Sequence, residues 1–376
     1  MDDTRRDDEM IERIRQTWKI PLNKPYIDIQ EHVAVGDVLK SGMLSQGEVV
    51  EEFEEKVRRY VGAKYAVAVS SCTAGLYLAL RNLVDLWDCD VAIPAFTFPA
   101  TQCCVKHFGG EMGITHVDVR GDTYNINTYD LRRVFGRCSL NLGSAIIPIH
   151  QFGLPCEMDG VNKIADETDA MVIQDAACAM GSTYKREPIG KHGTAVFSFH
   201  GRKIITTGEG GMIVTDYDEL YDQLIEGRQF GRNSLGEFRG EGLNFKMSDL
   251  AAAVGCVQME KLPEILRERA KVASIYKDLL GKNTSIKMPE YIEGMNWQSY
   301  VVRLMDEDTR DKAMSQMRDH GIEVQVGSFD NSGGICSMSK ELSKTTLALP
   351  IWPGMTEEMI GTVAGDLYDT TKVQQV

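Results

Sequence analysis

From about Gly62 to Asp216, short apolar runs alternate with longer amphipathic ones, and the runs end in Gly, Pro, Ser or Asp. Short apolar runs bounded by turn formers read as strands, and the amphipathic stretches between them read as helices. The alternation predicts a largely parallel sheet with helices on both faces. The expected strands are Tyr65–Ser70, Val91–Pro94, Ala145–Pro148, Ala170–Gln174, Val196–Phe199 and Gly211–Thr215, with a helix from Ala74 after the first. Each run finishes next to a polar residue, which is where open α/β sheets place their ligands.

The pattern changes after Met247. Ser248–Leu280 carries one long helical pattern whose only proline, Pro263, predicts a kink or break. A strand over Gln298–Leu304, a helix over Arg310–His320 and a strand over Ile322–Val326 complete a smaller α/β unit. The expected division is an N-terminal arm over 1–25, a large domain over 26–247 and a small C-terminal domain over 248–376 that includes the connecting helix.

Composition narrows the class. A chain of 376 residues with 43% hydrophobic and 26% charged residues fits two packed units of a soluble protein. No apolar stretch reaches the length of a membrane helix. The charged start Met1–Gln16 lacks the apolar segment of a secretory signal, so a cytoplasmic location is expected. A net charge of -14 argues against attraction to nucleic acid. The nine cysteines are scattered without a CxxC pair, which favours free thiols over zinc or disulfides, and no metal is expected.

Three segments carry candidate chemistry, each just after an expected strand. Ser71-Cys72-Thr73-Ala74-Gly75 precedes the helix Leu76 to Leu80, so free backbone N–H groups, the helix dipole and the Thr73 hydroxyl suit a dianion; helix capping alone equally explains Ser71 or Thr73. Asp175 follows the apolar run Met171 to Ile173 and is either a cap or turn residue or the anion that keeps a pyridine nitrogen protonated. Lys203 lies between Phe197-Ser198-Phe199 and the turn Thr206 to Gly211. A loop lysine is ordinarily a solvated charge, but one desolvated at a sheet edge has a lowered pKa and an amine available for a Schiff base. Together the three segments meet the demands of pyridoxal 5'-phosphate (PLP).

These residues sit in ordered blocks that resemble the DegT-type (DegT/DnrJ/StrS) sugar aminotransferases, a branch of the fold-type I PLP enzymes, from Tyr26 to Tyr368. The matching blocks are Ser41 to Gly47 with Phe53-Glu54, Ser71 to Leu80, Pro94 to Phe98, Asp118-Val119 with Tyr124-Asn125, and His150 to Gly153. Gln174 to Ala177, Phe197 to Phe199 with Lys203, Gly208 to Gly211, Gly242 to Phe245 and Leu349-Pro350 continue the series. The resemblance implies an α/β fold-type I enzyme in which Lys203 bonds the cofactor and moves the proton. It implies that Asp175 pairs with the pyridinium, that Thr73, Ala74 and Ser198 hold the phosphate within the Ser71–Cys72 turn, and that Phe98 stacks on the ring. Phe98 is otherwise plain core. Asn244 would reach the neighbouring subunit's phosphate site, making a homodimer, or is an ordinary turn residue. Glu209 is a candidate for the substrate side, and His150 either supports Asp175 or the substrate pocket or is a hydrogen-bonded structural histidine.

The chain also departs from the family. Cys178 stands where a glutamine is usual near the cofactor's phenolic oxygen, Cys72 replaces a glycine whose loss could crowd the phosphate turn, and Lys246 replaces an arginine. Val326–Gly334 replaces a segment with tyrosine, proline and histidine that shapes the substrate side. Relatives with histidine at the position of Lys203 dehydrate their substrates, so Lys203 favours transamination. The implied reaction moves an amino group from an amino acid, L-glutamate by resemblance, through pyridoxamine phosphate to a nucleotide-linked keto-sugar. A keto-cyclitol acceptor, a PLP-dependent sugar dehydratase or lyase, and a noncatalytic sensor are the alternatives.

Overall fold

The computed structural model describes residues 18–83, 90–107, 113–135, 144–238 and 240–372. The expected arm lies outside the described residues as far as residue 17. A seven-stranded sheet forms the larger layer: β1 (Tyr65–Val69), β2 (Asp90–Pro94), β3 (Gly113–Val117), β4 (Ala145–Ile146), β5 (Met171–Asp175), β6 (Thr194–Ser198) and β7 (Gly211–Thr215). Their spatial order is β1-β7-β6-β5-β4-β2-β3. Only β7 is antiparallel to its neighbours; the other strands share one direction, so their C-terminal ends line one edge. The mixed α/β architecture of the sequence reading is therefore present. β3 was not anticipated, because Gly113-Ile-Thr-His-Val at the sheet edge is mostly half-buried and carries no continuous apolar run. β4 is shorter than Ala145–Pro148, although the chain stays extended and Pro148 still accepts from the Asp175 N–H at 2.9 Å.

The two faces of β1, β6 and β7 build two cores. Val67, Val69, Val196 and Ile213 pack beneath the helix Cys72–Leu83 through Leu76 and Leu80. Ala68, Phe197, Met212 and Val214 face the other way, toward Phe53 and Val57 of the helix Glu48–Val61. This is the period-two alternation of a strand covered on both sides. Gly75 lets the first helix settle on the sheet, since a Cβ there would stand 2.6 Å from Val196 Cγ1.

The long helix spans Asp249–Leu280 without interruption, so the break expected at Pro263 does not occur. Proline removes one backbone bond, but the fully buried Leu262 and Ile265 beside it are clamped into the core around Phe53 and hold the helix through that turn. Its second half contributes Val272, Ala273, Tyr276 and Leu280 to a separate core under a three-stranded antiparallel sheet. That sheet has Thr346–Leu349 between Tyr300–Arg303 and Gln325–Val326. The expected strand Ile322–Val326 is thus limited to its last two residues, while Ile322 bridges Ile20 instead.

Candidate active site

The three sequence segments converge at the C-terminal edge of β1, β5 and β6. The turn after β1 leads directly into the helix Cys72–Leu83. Ser71 caps it, its Oγ accepting the Ala74 N–H at 3.1 Å, while Thr73 lies exposed at the first turn. The Cys72 side chain is turned into the sheet, where its thiol faces the Val196 carbonyl at 3.7 Å, and burial raises its pKa well above the usual thiol value. The crowding expected from the missing glycine therefore does not arise. Closeness is instead demanded on the other side: a Cβ on Gly211 would fall 2.6 Å from both Ser71 C and Cys72 N. Gly211, the first residue of β7, is thus the floor against which the helix N-terminus rests.

Asp175 ends β5 and is 5% exposed. Its Oδ2 accepts from Thr101 Oγ1 at 2.8 Å and its Oδ1 from the Ala177 N–H at 3.1 Å. Burial raises its pKa, opposed by those two bonds and by Lys203. Such a carboxylate calls for a cation. Thr101 escaped the sequence reading; it sits on the first turns of the helix Pro99–Lys106, three residues after Phe98. The only local sign was its place in the Pro-led helix start, which reads as an ordinary first turn.

Lys203 Nζ lies 3.2 Å from Cys178 Sγ. Burial alone pulls the amine's pKa down, as the sequence suggested, but Cys178, Cys72 and Asp175 act the other way and the result is raised above the ordinary lysine value. The expectation of a lowered pKa is therefore wrong for the free amine, because the neighbours that oppose burial come from distant segments. Phe98 caps the helix Pro99–Lys106 and is 67% exposed, so it is not core. Its ring meets Phe329 edge-on at 6.4 Å.

The described chain agrees with the family model of the DegT/DnrJ/EryC1/StrS aminotransferases over residues 25–368. The chain belongs to that family. Membership makes it a PLP-dependent enzyme of the aminotransferase class, with pyridoxamine phosphate as the aminated cofactor. A protein of Methanocaldococcus jannaschii, MJ1066, is 32% identical across 92% of this chain and 95% of its own length. Helicobacter pylori PseC, an aminotransferase involved in the biosynthesis of pseudoaminic acid, superimposes with a TM-score of 0.87 at 22% identity, covering 94% of this chain and 99% of that one. The GDP-4-keto-6-deoxy-D-mannose-3-dehydratase of E. coli with bound hydrated PLP does so at 0.85 and 22%, covering 94% and 100%. These likenesses place the aminotransferase in fold-type I.

The residues present fit the cofactor. The aminotransferase offers a helix N-terminus seated against Gly211 for a phosphate, a buried carboxylate held by Thr101 for a ring nitrogen, and an exposed Phe98 ring. The other expected residues sit as follows. Ser198 is 7% exposed and its Oγ accepts the His200 N–H at 3.4 Å. Glu209 is exposed, 3.7 Å from His200 Nε2. His150 is completely buried, which pushes its pKa down to about 4. Its Nδ1 accepts the Cys156 N–H at 3.0 Å, so the proton is on Nε2, facing Gln174 Oε1 at 3.2 Å. Among the described residues its link to Asp175 is a backbone bond, the His150 N–H donating to the Asp175 carbonyl at 3.1 Å. Asn244 is exposed and bridges Gln229, and Lys246 Nζ stands 5.5 Å over the Phe230 ring. The divergent segment is drawn to the site: Phe329 and Asp330 pair with Thr97 and Phe96, next to Phe98.

Proposed function

We propose that this aminotransferase transfers an amino group from L-glutamate to a keto-sugar, with a nucleotide-linked keto-sugar as the acceptor. The observation that carries the reading is the convergence of Lys203, Asp175 and the Ser71–Ala74 turn at one sheet edge. When bound, PLP supplies an electron sink that stabilises negative charge on the substrate carbon. Lys203 would hold the cofactor through its amine and would hold and move a proton at Nζ. Asp175, fixed by Thr101 and Ala177, would pair with the ring nitrogen and keep it protonated. Thr73, Ala74 and Ser198 bind the phosphate together with the N–H groups of the Ser71–Cys72 turn, Phe98 covers the ring, and Cys178 borders the lysine. Asn244 reaches the phosphate of a second copy, so the active unit is a homodimer whose large domain spans 26–247 and small domain 248–376. Glu209 lies on the substrate side. A keto-cyclitol acceptor is the runner-up within the same chemistry.

The fold is shared with a dehydratase, and Lys203 separates the two reactions: a lysine amine returns the proton needed for transfer. The test is to reduce the PLP-loaded protein with borohydride and map the tagged peptide, then to incubate with L-glutamate and a panel of nucleotide keto-sugars and keto-cyclitols. Transfer predicts a tag on Lys203, stoichiometric 2-oxoglutarate and an aminated product by mass. A tag elsewhere refutes the role of Lys203. A deoxygenated product without amine incorporation decides for dehydration.

A further inference from the structure

The loops that carry Cys178 and Lys203 are held by one short stretch, residues 296–298, which leads into the three-stranded sheet. Asn296 is 3% exposed, and its Nδ2 donates to the carbonyls of Cys178 at 2.8 Å and Met180 at 2.9 Å. Its Oδ1 accepts the Gln298 N–H at 2.8 Å, closing a tight turn in which Trp297 takes φ +57°. A non-glycine residue there is strained, and such strain persists only where surrounding bonds impose it. Gln298, 8% exposed, donates from Nε2 to the Arg202 carbonyl at 2.7 Å, one residue before Lys203. Among the described residues its Oε1 is buried without a partner. Burying an oxygen unpaired costs stability, so the bond to the Lys203 loop is retained against that cost.

The turn is itself anchored. Arg269 on the long helix is 1% exposed and donates to the carbonyls of Trp297 at 3.1 Å and Ile351 at 2.8 Å, facing carbonyls rather than a carboxylate. Its Nη2 donates to Asn23 Oδ1 at 2.6 Å, and Asn23 Nδ2 reaches the Gly201 carbonyl at 3.3 Å. Two carbonyls on the Cys178 side and two on the Lys203 side are thus tied to one buried frame. Gly153 makes room for it: its φ is +88°, and a Cβ would collide with Asn296 Oδ1.

We propose that Asn296 and Gln298 are positioning residues that staple the Cys178 and Lys203 loops together, so that the Cys178 sulfur is held against the Lys203 amine. The proposal rests on the reading of Lys203 as the cofactor-bearing residue. The pKa of Lys203 agrees with it, since Cys178 is among the groups that raise it.

The experiment uses the full-length protein freed of cofactor, as wild type, Gln298→Leu, Asn296→Asp, Cys178→Ala and Cys178→Ala with Gln298→Leu, each checked by thermal melting. Iodoacetamide labelling is followed at Cys178 by peptide mass, with the exposed Cys103 as internal control. The rate of covalent PLP capture is measured against pH by absorbance, since capture needs the neutral amine. Loosening the staple is expected to raise Cys178 labelling ~3-fold relative to Cys103. The capture midpoint should fall to lower pH in Gln298→Leu and in Cys178→Ala, and no further in the double variant. If Gln298→Leu does not fold, Asn296→Asp, which keeps size but loses both donors, carries the same readouts. Unchanged labelling and midpoint in a folded variant, or additive midpoints in the double variant, overturn the proposal. Absence of PLP capture at Lys203 in the wild type would instead refute the function, while the labelling arm would still decide whether the staple exists.

Discussion

Replacing Thr101 by valine (Thr101→Val) removes one hydroxyl and preserves shape. The structure gives this hydroxyl one task, donation to Asp175 Oδ2 at 2.8 Å inside a buried site. A hydrogen bond to a charged group contributes about 1.5–3 kcal/mol, more than a bond between neutral groups, because the acceptor has no water to turn to. If all of it acts on the ionised carboxylate that faces the ring nitrogen, kcat/KM should fall by roughly 10- to 100-fold. Thr101 is also the leading group that opposes the effect of burial on Asp175. Its loss should therefore raise the carboxyl pKa further and move the acid limb of the pH–rate profile to higher pH. The assay is the half-reaction with L-glutamate, read as 2-oxoglutarate across the pH range, with Thr101→Ser as the rescue. A Thr101→Val enzyme with wild-type rate and an unmoved acid limb would show that Asp175 does not act through its charge.

Further predictions concern the same edge of the sheet. Lys203→Ala should give a folded protein that binds PLP only noncovalently and turns over nothing, measured by borohydride tagging and by product mass. Asp175→Asn should lose activity without losing stability. Because burial holds the Asp175 pKa above the ordinary value, the folded state keeps this proton more tightly than the unfolded chain; its contribution to stability is present at low pH and lost as pH rises through the folded value. Thermal melts of the cofactor-free protein should show Asp175→Asn at least as stable as wild type above that range, and a variant markedly less stable there would refute the sign. Gly211→Ala places a Cβ against Ser71 and Cys72 and should cost about 1–3 kcal/mol; PLP affinity by fluorescence titration should fall with it, and wild-type affinity would mean that the turn is not the phosphate seat.

The legible parts of this molecule were those written locally. An apolar run ending in a polar residue was enough to place Asp175 at the end of β5 and Lys203 just beyond β6, because a strand's end is fixed by the run itself. The edge strand β3 escaped because half-buried residues carry a mixed pattern. Thr101, Asn296 and Gln298 escaped for another reason. Their partners lie 74, 118 and 96 residues away, and a polar residue in a helix or turn has the signature of surface until the fold buries it. The protonation of Lys203 failed in the same way: burial was inferable from neighbours in sequence, whereas Cys178, Cys72 and Asp175 became neighbours only through the parallel sheet.

The divergent segment after Glu323 is built onto the stretch that leads to Phe98. Phe329 and Asp330 form a strand with Thr97 and Phe96, and Asn331 Nδ2 adds a bond to the Thr97 carbonyl at 2.8 Å. Asp330 is consumed internally, accepting from Ser332 Oγ at 2.6 Å, Ser339 Oγ at 2.7 Å and the Gly334 N–H at 2.8 Å. Asp118 holds the following helix, Ser337–Thr345, through the Ser339 N–H at 2.9 Å and the Met338 N–H at 3.0 Å. These bonds engage both Asp330 oxygens, three on Oδ1 and one on Oδ2, and tie the strand to the turn and helix that follow it. What they present outward is the ring of Phe329, 46% exposed and set edge-on to Phe98. If the proposed function holds, an aromatic pair at this place favours an apolar or ring face of the acceptor over a charged one. Under the proposed function, recognition of a charged part of the acceptor would then fall mainly to residues outside this strand, since Asp330 is largely engaged within it.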